Sequence, residues 1–284
     1  MKDLEKTSRT PPVAIGGVGG SGTRLVARIL MELGFEMGND LNIPNDNLLF
    51  TFLFKRFEVL SITDDEFEAL LKIFIKTMFG DQIDATELAK INHIAESHKN
   101  VFPGRWIKNR LSAFAASGST ATDVKNWGWK EPNTHIVIDR LQRFLPNMKY
   151  IHVVRNGLDI AHSKNQAQPG LWGQHFLGTA YNGSPNYSLK YWCHAHRRVL
   201  ALAESMRDRL LWVKFDDLCL EPEKGIKQIL EFLNIEITCN RFETLVRLIN
   251  VPQSIGRFKK YGTDIFDPAD VGFVRRLGFD TTVD

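Results

Sequence analysis

Glycine dominates the first segment whose residue types and spacing suit chemistry: five of the seven residues from 16 to 22 are glycine. A short apolar run at 13–15 precedes them, and apolar residues with helical spacing follow from 25 to 33. In a turn between a strand and a helix, glycines allow several backbone N–H groups to converge, and the helix N-terminus adds partial positive charge. The segment therefore predicts a binding site for an anion, most often a phosphate. Three side chains add donors there: Ser21, Thr23 and Arg24.

Two common phosphate-binding patterns fit this segment incompletely. Gly17 and Gly22 have the spacing of the ATP/GTP loop G-x-x-x-x-G-K-[ST], but Thr23-Arg24 stands where Lys and Ser or Thr are required. The lysine for the terminal phosphates and the hydroxyl for Mg²⁺ are thus missing, which argues against a Mg-dependent kinase or hydrolase. The dinucleotide pattern G-x-G-x-x-G also fits, but no acidic residue ends an obvious second strand about 20 residues on.

A second group that suits anion binding follows the continuous apolar run Tyr150–Val154, which predicts a buried strand. Arg155 ends this strand, and Ser163 follows eight residues later on the next predicted helix. Together they offer a charged fork and a hydroxyl to a phosphate on the same side of the sheet. Two separate anion sites imply a ligand with two separated phosphates.

In this order and spacing the chain resembles the sulfotransferases that use 3′-phosphoadenosine-5′-phosphosulfate (PAPS). That family carries a [KR]-S-G-T-[TS] loop after its first strand for the 5′-phosphosulfate, and an Arg followed eight residues later by a Ser for the 3′-phosphate. Ser21-Gly22-Thr23 and Arg155…Ser163 match these motifs. The likeness covers about residues 12–34 and 126–262. Four further segments resemble the family: 127–132, 192–204, 213–222 and 254–261.

The resemblance implies donor-binding roles for residues of the glycine-rich loop, of the Arg…Ser pair and of the C-terminal basic segment. These are Gly20, Ser21, Gly22, Thr23, Arg155, Ser163, Arg257 and Lys259. The chain departs from the family at Gly20, where relatives have a basic residue, and at Arg24, where they have Thr or Ser. We infer that Arg24 supplies the missing cation from within the helix.

The resemblance also implies in-line sulfuryl transfer, in which the acceptor attacks sulfur while the 5′-phosphate leaves. A fixed cation would stabilise the charge that grows on the leaving oxygen, and Lys130 is the candidate because it matches the lysine at a strand end of the family. The acceptor needs a general base. Asp46, in the Asn- and Asp-rich segment 38–47, is the first candidate and Glu131 the second. Asp40 and His135 remain as alternatives.

The strands and helices that would position these residues predict a three-layer α/β fold with a central parallel sheet flanked by helices, similar to P-loop NTPases. All of 1–284 is predicted to form a single sulfotransferase-like domain. An all-helical insertion is expected at about 48–120, with a capping box at Thr63–Glu66 and one apolar helix face from 67 to 78. We predict helices at 187–208 and 222–233. The segment 164–186, rich in Gly, Asn, Gln and Pro, predicts a long loop whose Trp172, His175 and Phe176 could line the acceptor site.

Composition narrows the function classes. The 284 residues are 43% hydrophobic, which is typical of a globular chain with a large core. Thirty-six Lys and Arg against 33 Asp and Glu leave a formal net charge of +3, too small to favour nucleic acid as a partner. Three scattered cysteines and poorly spaced histidines favour neither a disulfide framework nor a metal site. Without an apolar leader or span, a cytoplasmic protein is expected.

The combined prediction is a PAPS-dependent sulfotransferase that acts without a metal on an acceptor hydroxyl, less readily on an amine. The acceptor remains open among small molecules, glycans and peptides. Two alternatives stay: a P-loop kinase or nucleotide hydrolase that uses ATP and Mg²⁺, and a non-catalytic module that binds a nucleotide or a glycan.

Overall fold

A four-stranded sheet forms the centre of the computed structural model, which describes residues 10–97 and 125–283. Its strands are β1 (Val13–Gly17), β2 (Gly128–Lys130), β3 (Lys149–Val154) and β4 (Leu210–Lys214). Their order is β2-β1-β3-β4, and every neighbouring pair is parallel. All four carboxyl ends therefore lie at one edge. Since β1 has β2 on one side and β3 on the other, the end of β1 is a switch point, where ligands of such sheets bind.

Helices connect the strands. In chain order they are α1 (Thr23–Glu32), α2 (Leu48–Phe54), α3 (Asp64–Phe79), α4 (Ala85–Ser97), α5 (Ile138–Phe144), α6 (Gly157–Ala161), α7 (Ala167–Leu177), α8 (Pro185–Ala201), α9 (Ala203–Met206), α10 (Phe215–Leu220), α11 (Pro222–Leu233), α12 (Cys239–Arg247) and α13 (Pro268–Arg276). Short 3₁₀ turns occur at Phe57–Leu60, Pro132–Ile136, Arg207–Arg209 and Arg257–Lys260. Within the described ranges, no helix combines the length and apolar character needed to cross a bilayer.

The sheet separates two hydrophobic cores. Alternate side chains of β3 point to opposite faces, so that Tyr150 and Val154 join one core while Ile151 and Val153 join the other. Helices α1, α11 and α12 cover the second face, and the remaining long helices cover the first. The predicted three-layer α/β architecture with a parallel central sheet is therefore confirmed.

The described part of the predicted insertion, 48–97, is helical. Every residue of α2 is buried, and the ring of Phe50 stacks on Trp129 at 5.2 Å, which joins this helix to β2. The predicted capping box starts α3: the Thr63 side chain accepts from the Glu66 N–H, and the Glu66 carboxylate accepts from the Thr63 N–H. The rest of the predicted insertion, 98–120, lies outside the described residues, and the single-domain extent of 1–284 stays a prediction.

One prediction of local structure was wrong: much of the segment 164–186, expected to be a loop, forms helix α7. The helix predicted at 187–208 is present as α8 and, after an interruption at Leu202, continues as α9. Tertiary packing explains α7: its Trp172 is fully buried, and a Cβ on Gly173 would lie 2.4 Å from the Tyr187 hydroxyl. The glycines that weaken the helical pattern thus allow α7 to approach α8 closely.

We predict that Phe74→Ala lowers the free energy of unfolding by about 3–5 kcal/mol. Phe74 is fully buried, and its ring makes edge contacts at 5.3 Å with both Phe50 and Trp129, so its loss opens a cavity between α3 and β2. Urea denaturation followed by circular dichroism measures the change. Lys72→Ala, on the exposed side of the same helix, is the control and should change stability by less than about 0.5 kcal/mol. A loss below about 1 kcal/mol for Phe74→Ala would contradict the packing of α3 on the sheet.

Candidate functional site

The glycine-rich loop turns sharply between β1 and α1. The Ser21 hydroxyl and N–H both donate to the Val18 carbonyl, at 2.6 and 3.0 Å, which closes the turn. Gly20 and Gly22 adopt φ of 90° and 92°, in the left-handed region that favours glycine. No side chain of the described residues caps α1 and none in its first turn is acidic, so the N–H groups there remain available to an anion.

Close packing forces the path of this loop. A Cβ on Gly17 would lie 2.3 Å from the Val153 carbonyl oxygen, and one on Gly22 would lie 2.0 Å from the ring of Phe215. On its other side the loop reaches the segment after α6: a Cβ on Gly20 would lie 3.6 Å from the Ser163 hydroxyl. The two anion-binding groups predicted from the sequence are therefore neighbours in the structure.

Gln168, on α7, ties the base of the loop to the interior, and the sequence pattern did not identify it. Its Nε2 donates to the Gly17 carbonyl at 3.1 Å, and its Oε1 lies 3.1 Å from His135 Nε2 and 3.5 Å from the Tyr191 hydroxyl. Because the amide nitrogen donates to Gly17, the amide oxygen accepts, so His135 carries its proton on Nε2. Gln168 thus holds the residue from which the loop departs.

Arg155 lies largely beneath the surface at the end of β3. Its Nη2 donates to the Ser254 hydroxyl at 2.8 Å, and the carboxylates of Asp159 and Asp216 lie 3.8 and 4.0 Å from its guanidinium. Burial lowers the pKa of Arg155, an effect that both carboxylates oppose. Its Nε is buried without a hydrogen-bond partner among the described residues. This Nε faces Asp216 Oδ1 at 4.0 Å, so a carboxylate already lies beside it, and the anion-binding role of Arg155 stays a prediction.

A surface cavity of about 580 Å³ lies beside Ser163. Its lining residues are His162, Ser163, Lys164, Asn165, Gln253, Ser254, Arg257, Lys260 and Tyr261. The cavity contains three cationic side chains and lies next to the glycine-rich loop through Ser163. Two larger grooves, of about 850 and 940 Å³, run along α11 and α12 but contain none of the predicted site residues.

Three predicted donor-binding cations lie in different surroundings. Arg257 lines the cavity, and its Nη1 donates to the His162 carbonyl at 3.3 Å. Lys259 instead pairs with Asp280 at 3.0 Å, and the next residue, Lys260, lines the cavity. Arg24 is exposed on the first turn of α1.

The structure brings Lys130 and Asp46, predicted from different regions of the sequence, into direct contact. The Lys130 ammonium donates to Asp46 Oδ1 and, at 3.1 Å, to the Pro44 carbonyl. Lys130 is only 2% exposed. The Asn47 N–H donates to the Lys130 carbonyl at 2.8 Å, so the segment that carries Asp46 is fastened to the end of β2. An ammonium has three N–H groups, and these contacts use two of them.

Glu131, the second candidate base, occupies a less open position than Asp46. The Glu131 carboxylate is buried and accepts from the Asn133 N–H and, at 2.9 Å, from Asn133 Nδ2. Burial raises the pKa of Glu131, although the nearby Lys55 ammonium opposes this. Trp172 is buried and donates to Asn133 Oδ1 at 2.8 Å, so it supports this network, whereas His175 is exposed on α7. Glu131 therefore caps the turn after β2, while Asp46 contacts the candidate cation.

Three histidines lie buried on the sheet face below the loop. The rings of His135 and His152 are 6.2 Å apart, and those of His152 and His196 are 5.1 Å apart. Burial lowers the pKa of His135 to about 3, that of His196 to about 4, and that of His152 well below its ordinary value. In the described ranges, no three His, Cys, Asp or Glu side chains are grouped to bind a metal ion. The histidines are neutral near pH 7.

Comparisons with known proteins show the family of the chain. A family model described as "Sulfotransferase family" matches residues 11–238. A putative protein-tyrosine sulfotransferase of Caenorhabditis briggsae is 26% identical over 108 residues, which are 38% of this chain and 36% of that protein. The chain thus spans about a third of the length of this curated relative.

Two solved structures are similar over nearly the whole chain. The sulfotransferase domain from the curacin biosynthetic pathway has 13% identity and a TM-score of 0.53, with 97% of this chain and 100% of that domain covered. The sulfotransferase domain from the Synechococcus PCC 7002 olefin synthase has 16% identity and a TM-score of 0.49, with 97% and 98% covered. At 13% identity, the likeness to the curacin-pathway domain shows a shared fold and nothing further.

We predict that the free energy of unfolding falls steeply between pH 7 and pH 5. The unfolded chain binds protons on its histidines below about pH 6.5, whereas the folded protein keeps the three buried rings neutral, so each costs about 2 kcal/mol over this interval. His135→Gln removes one titrating ring and keeps a donor for Gln168. The variant should therefore lose about 2 kcal/mol less than the wild type between these pH values, measured by urea denaturation.

The exposed His175 supplies the matched control, because His175→Gln should leave the pH dependence unchanged. Glu131 and Asp216, whose pKa values burial raises, oppose the trend equally in all three proteins, so the comparison cancels them. Equal pH dependence of the wild type and His135→Gln would show that His135 titrates normally in the folded protein.

Proposed function

The chain belongs to the sulfotransferase family and is an enzyme of sulfuryl transfer; we propose that its donor is PAPS and that its acceptor presents a hydroxyl group. The observation that supports this most directly is the contact between Lys130 and Asp46 at the carboxyl edge of the sheet. It places a cation and a proton acceptor together, one strand away from the glycine-rich loop. These are the two groups that sulfuryl transfer to a hydroxyl requires.

The 5′-phosphosulfate would be held by the loop between β1 and α1. Gly20, Gly22 and Thr23 would direct backbone N–H groups towards it, together with the positive end of the α1 dipole. Ser21, whose N–H and hydroxyl both donate to the Val18 carbonyl, would hold the turn in shape. Arg24 is exposed on that first turn, and we propose it as the cation that replaces the basic residue missing at Gly20. A side chain at Gly22 would collide with Phe215 and displace the loop. Glycine at this position therefore keeps the turn in the shape that would present its backbone N–H groups to a phosphate.

The 3′-phosphate would bind in the 580 Å³ cavity beside Ser163. Ser163 and Arg257 line it directly, and Arg155 lies behind Ser254, to whose hydroxyl its Nη2 donates. The resemblance implies that Lys259 binds this phosphate, but Lys259 pairs with Asp280. We propose Lys260, which lines the cavity, for this role instead. The stack of Tyr261 on His162, at 4.2 Å, adds an aromatic surface at the mouth of the cavity.

The chemistry would then need few groups of the protein. When bound, PAPS supplies the sulfuryl group, and adenosine 3′,5′-bisphosphate is the product. Lys130 already donates to Asp46 and Pro44, and its third N–H, which has no partner among the described residues, would stabilise charge on the leaving oxygen. Asp46 would accept the proton of the acceptor hydroxyl. Glu131, committed to Asn133, would hold the turn that positions Lys130.

We predict that adenosine 3′,5′-bisphosphate raises the melting temperature by several degrees, since a ligand at 100 times its Kd adds about 2.7 kcal/mol to stability. A thermal-shift assay compares it with 5′-AMP, which lacks the 3′-phosphate, and with ATP plus Mg²⁺. The bisphosphate should stabilise most. Stabilisation by ATP and Mg²⁺ alone would instead support a kinase or hydrolase, and no stabilisation by any of the three would contradict a nucleotide donor.

We predict that Asp46→Asn lowers kcat by about 10²- to 10⁴-fold, because the amide cannot accept the proton of the acceptor. Donor affinity should stay the same or rise, since Lys130 loses its counter-ion. Turnover of PAPS with an acceptor found by screening phenols, sugars and alcohols gives kcat, and calorimetry gives the affinity. Glu131→Gln is the matched variant, because it removes the other candidate carboxylate. A larger loss of kcat for Glu131→Gln than for Asp46→Asn would transfer the base role to Glu131.

A further inference from the structure

Asp159 lies midway along the segment that joins the two side chains proposed to bind the 3′-phosphate. Arg155 stands four residues before it and Ser163 four residues after it. It belongs to α6, and its side chain is fully buried. A buried carboxylate without hydrogen-bond partners would be costly, so its contacts identify what it is there to hold.

Both carboxylate oxygens of Asp159 bind backbone N–H groups of a distant segment. Oδ2 accepts from the Gly256 N–H at 2.8 Å, and Oδ1 accepts from the Phe258 N–H at 3.0 Å. These donors lie in residues 253–261, which we call the C-terminal strap. Gly256 has a φ of 73°, which turns the chain so that both N–H groups face the carboxylate.

The strap supplies one wall of the cavity beside Ser163. Gln253, Ser254, Arg257, Lys260 and Tyr261 all line that cavity. At its start, the Ser254 hydroxyl accepts from Arg155. At its end, Tyr261 stacks on His162. The two bonds to Asp159 lie between these contacts and fix the turn that presents Arg257.

We propose that Asp159 is a positioning residue that fastens the C-terminal strap beside Arg155 and thereby builds the second anion site. The inference rests on the proposed function, because that site is where the 3′-phosphate of PAPS would bind. Asp159 itself would not touch the ligand, since both of its oxygens are already bound to the strap.

The positive charge of Arg155 does not by itself explain why a carboxylate is buried at Asp159. Its carboxylate lies 3.8 Å from the guanidinium, beyond hydrogen-bond distance, and Asp216 faces the same guanidinium at 4.0 Å. The two carboxylates differ in their other partners: Asp216 accepts from the Asn156 N–H, next to Arg155, whereas Asp159 accepts from the Gly256 and Phe258 N–H groups of the strap. Asp216→Asn is therefore a matched control that removes the same charge without releasing the strap.

Amide hydrogen exchange of the full-length protein without ligand tests the fastening. Asp159→Asn should accelerate exchange of peptides covering 253–261 by at least about tenfold, because one of two N–H acceptors becomes a donor. Asp216→Asn should leave the exchange of these peptides unchanged, as should peptides from β1 and β3 in both variants. Unchanged exchange of the strap in Asp159→Asn would overturn the proposal.

If Asp159→Asn does not fold, amide exchange of the wild-type protein tests the fastening instead. Resolved by NMR, the Gly256 and Phe258 amides should exchange at least about tenfold more slowly than in an unstructured chain. Exchange at the unstructured rate would overturn the fastening by Asp159.

A double-mutant cycle on adenosine 3′,5′-bisphosphate binding tests the positioning. Arg257→Ala should weaken binding at least about tenfold in the wild type but by less than about threefold in Asp159→Asn, because a released strap no longer presents Arg257. A purely structural role would leave the effect of Arg257→Ala the same in both backgrounds, which would overturn the proposal. If the wild type does not bind the bisphosphate at all, the proposed donor fails, and amide exchange alone decides the role of Asp159.

Discussion

The site depends on the absence of side chains where β1 turns into α1. Gly17 passes so close to the Val153 carbonyl, and Gly22 so close to the Phe215 ring, that a single carbon atom at either position would force the loop outward. Neither neighbour can retreat easily, since one is backbone of β3 and the other is packed into the core. The same crowding leaves backbone N–H groups as the surface that a ligand meets. The packing of the loop and its proposed anion binding would therefore both result from one constraint.

The contact between Lys130 and Asp46 joins the sheet to the helical layer. Removing a lysine and a carboxylate from water costs several kcal/mol for each ion, so a pair of apolar side chains would serve stability at least as well. The pair is better explained by chemistry that needs both charges at one place. Lys130 comes from β2, whereas Asp46 precedes α2, whose N-cap Asn47 accepts from the Phe50 N–H at 3.0 Å. The proposed cation and base thus come from different layers and meet where those layers pack.

Local patterns predicted the elements whose signals are contiguous. The glycine-rich turn, the buried run of β3, the capping box of α3 and helix α11 all have the expected type and position. The helix α7 was missed because its glycines and proline weaken the pattern, while packing against α8 stabilises it. The strand end and the spacing indicated Arg155 and Ser163, and the resemblance indicated Lys130, but the roles of all three remain proposals. Gln168 and Asp159 were not found, because their partners lie 151 and 97 residues away and no local spacing reveals such a contact.

The position of the C-terminal strap in the sequence determines when the cavity beside Ser163 is completed during synthesis. A chain emerging from the ribosome presents all four strands by residue 214, yet the wall formed by residues 253–261 arrives only after them. Domains begin to fold during translation, so the sheet can assemble while the cavity beside Ser163 still lacks one wall. The proposed 3′-phosphate site would therefore be complete only after residues 253–261 have been made.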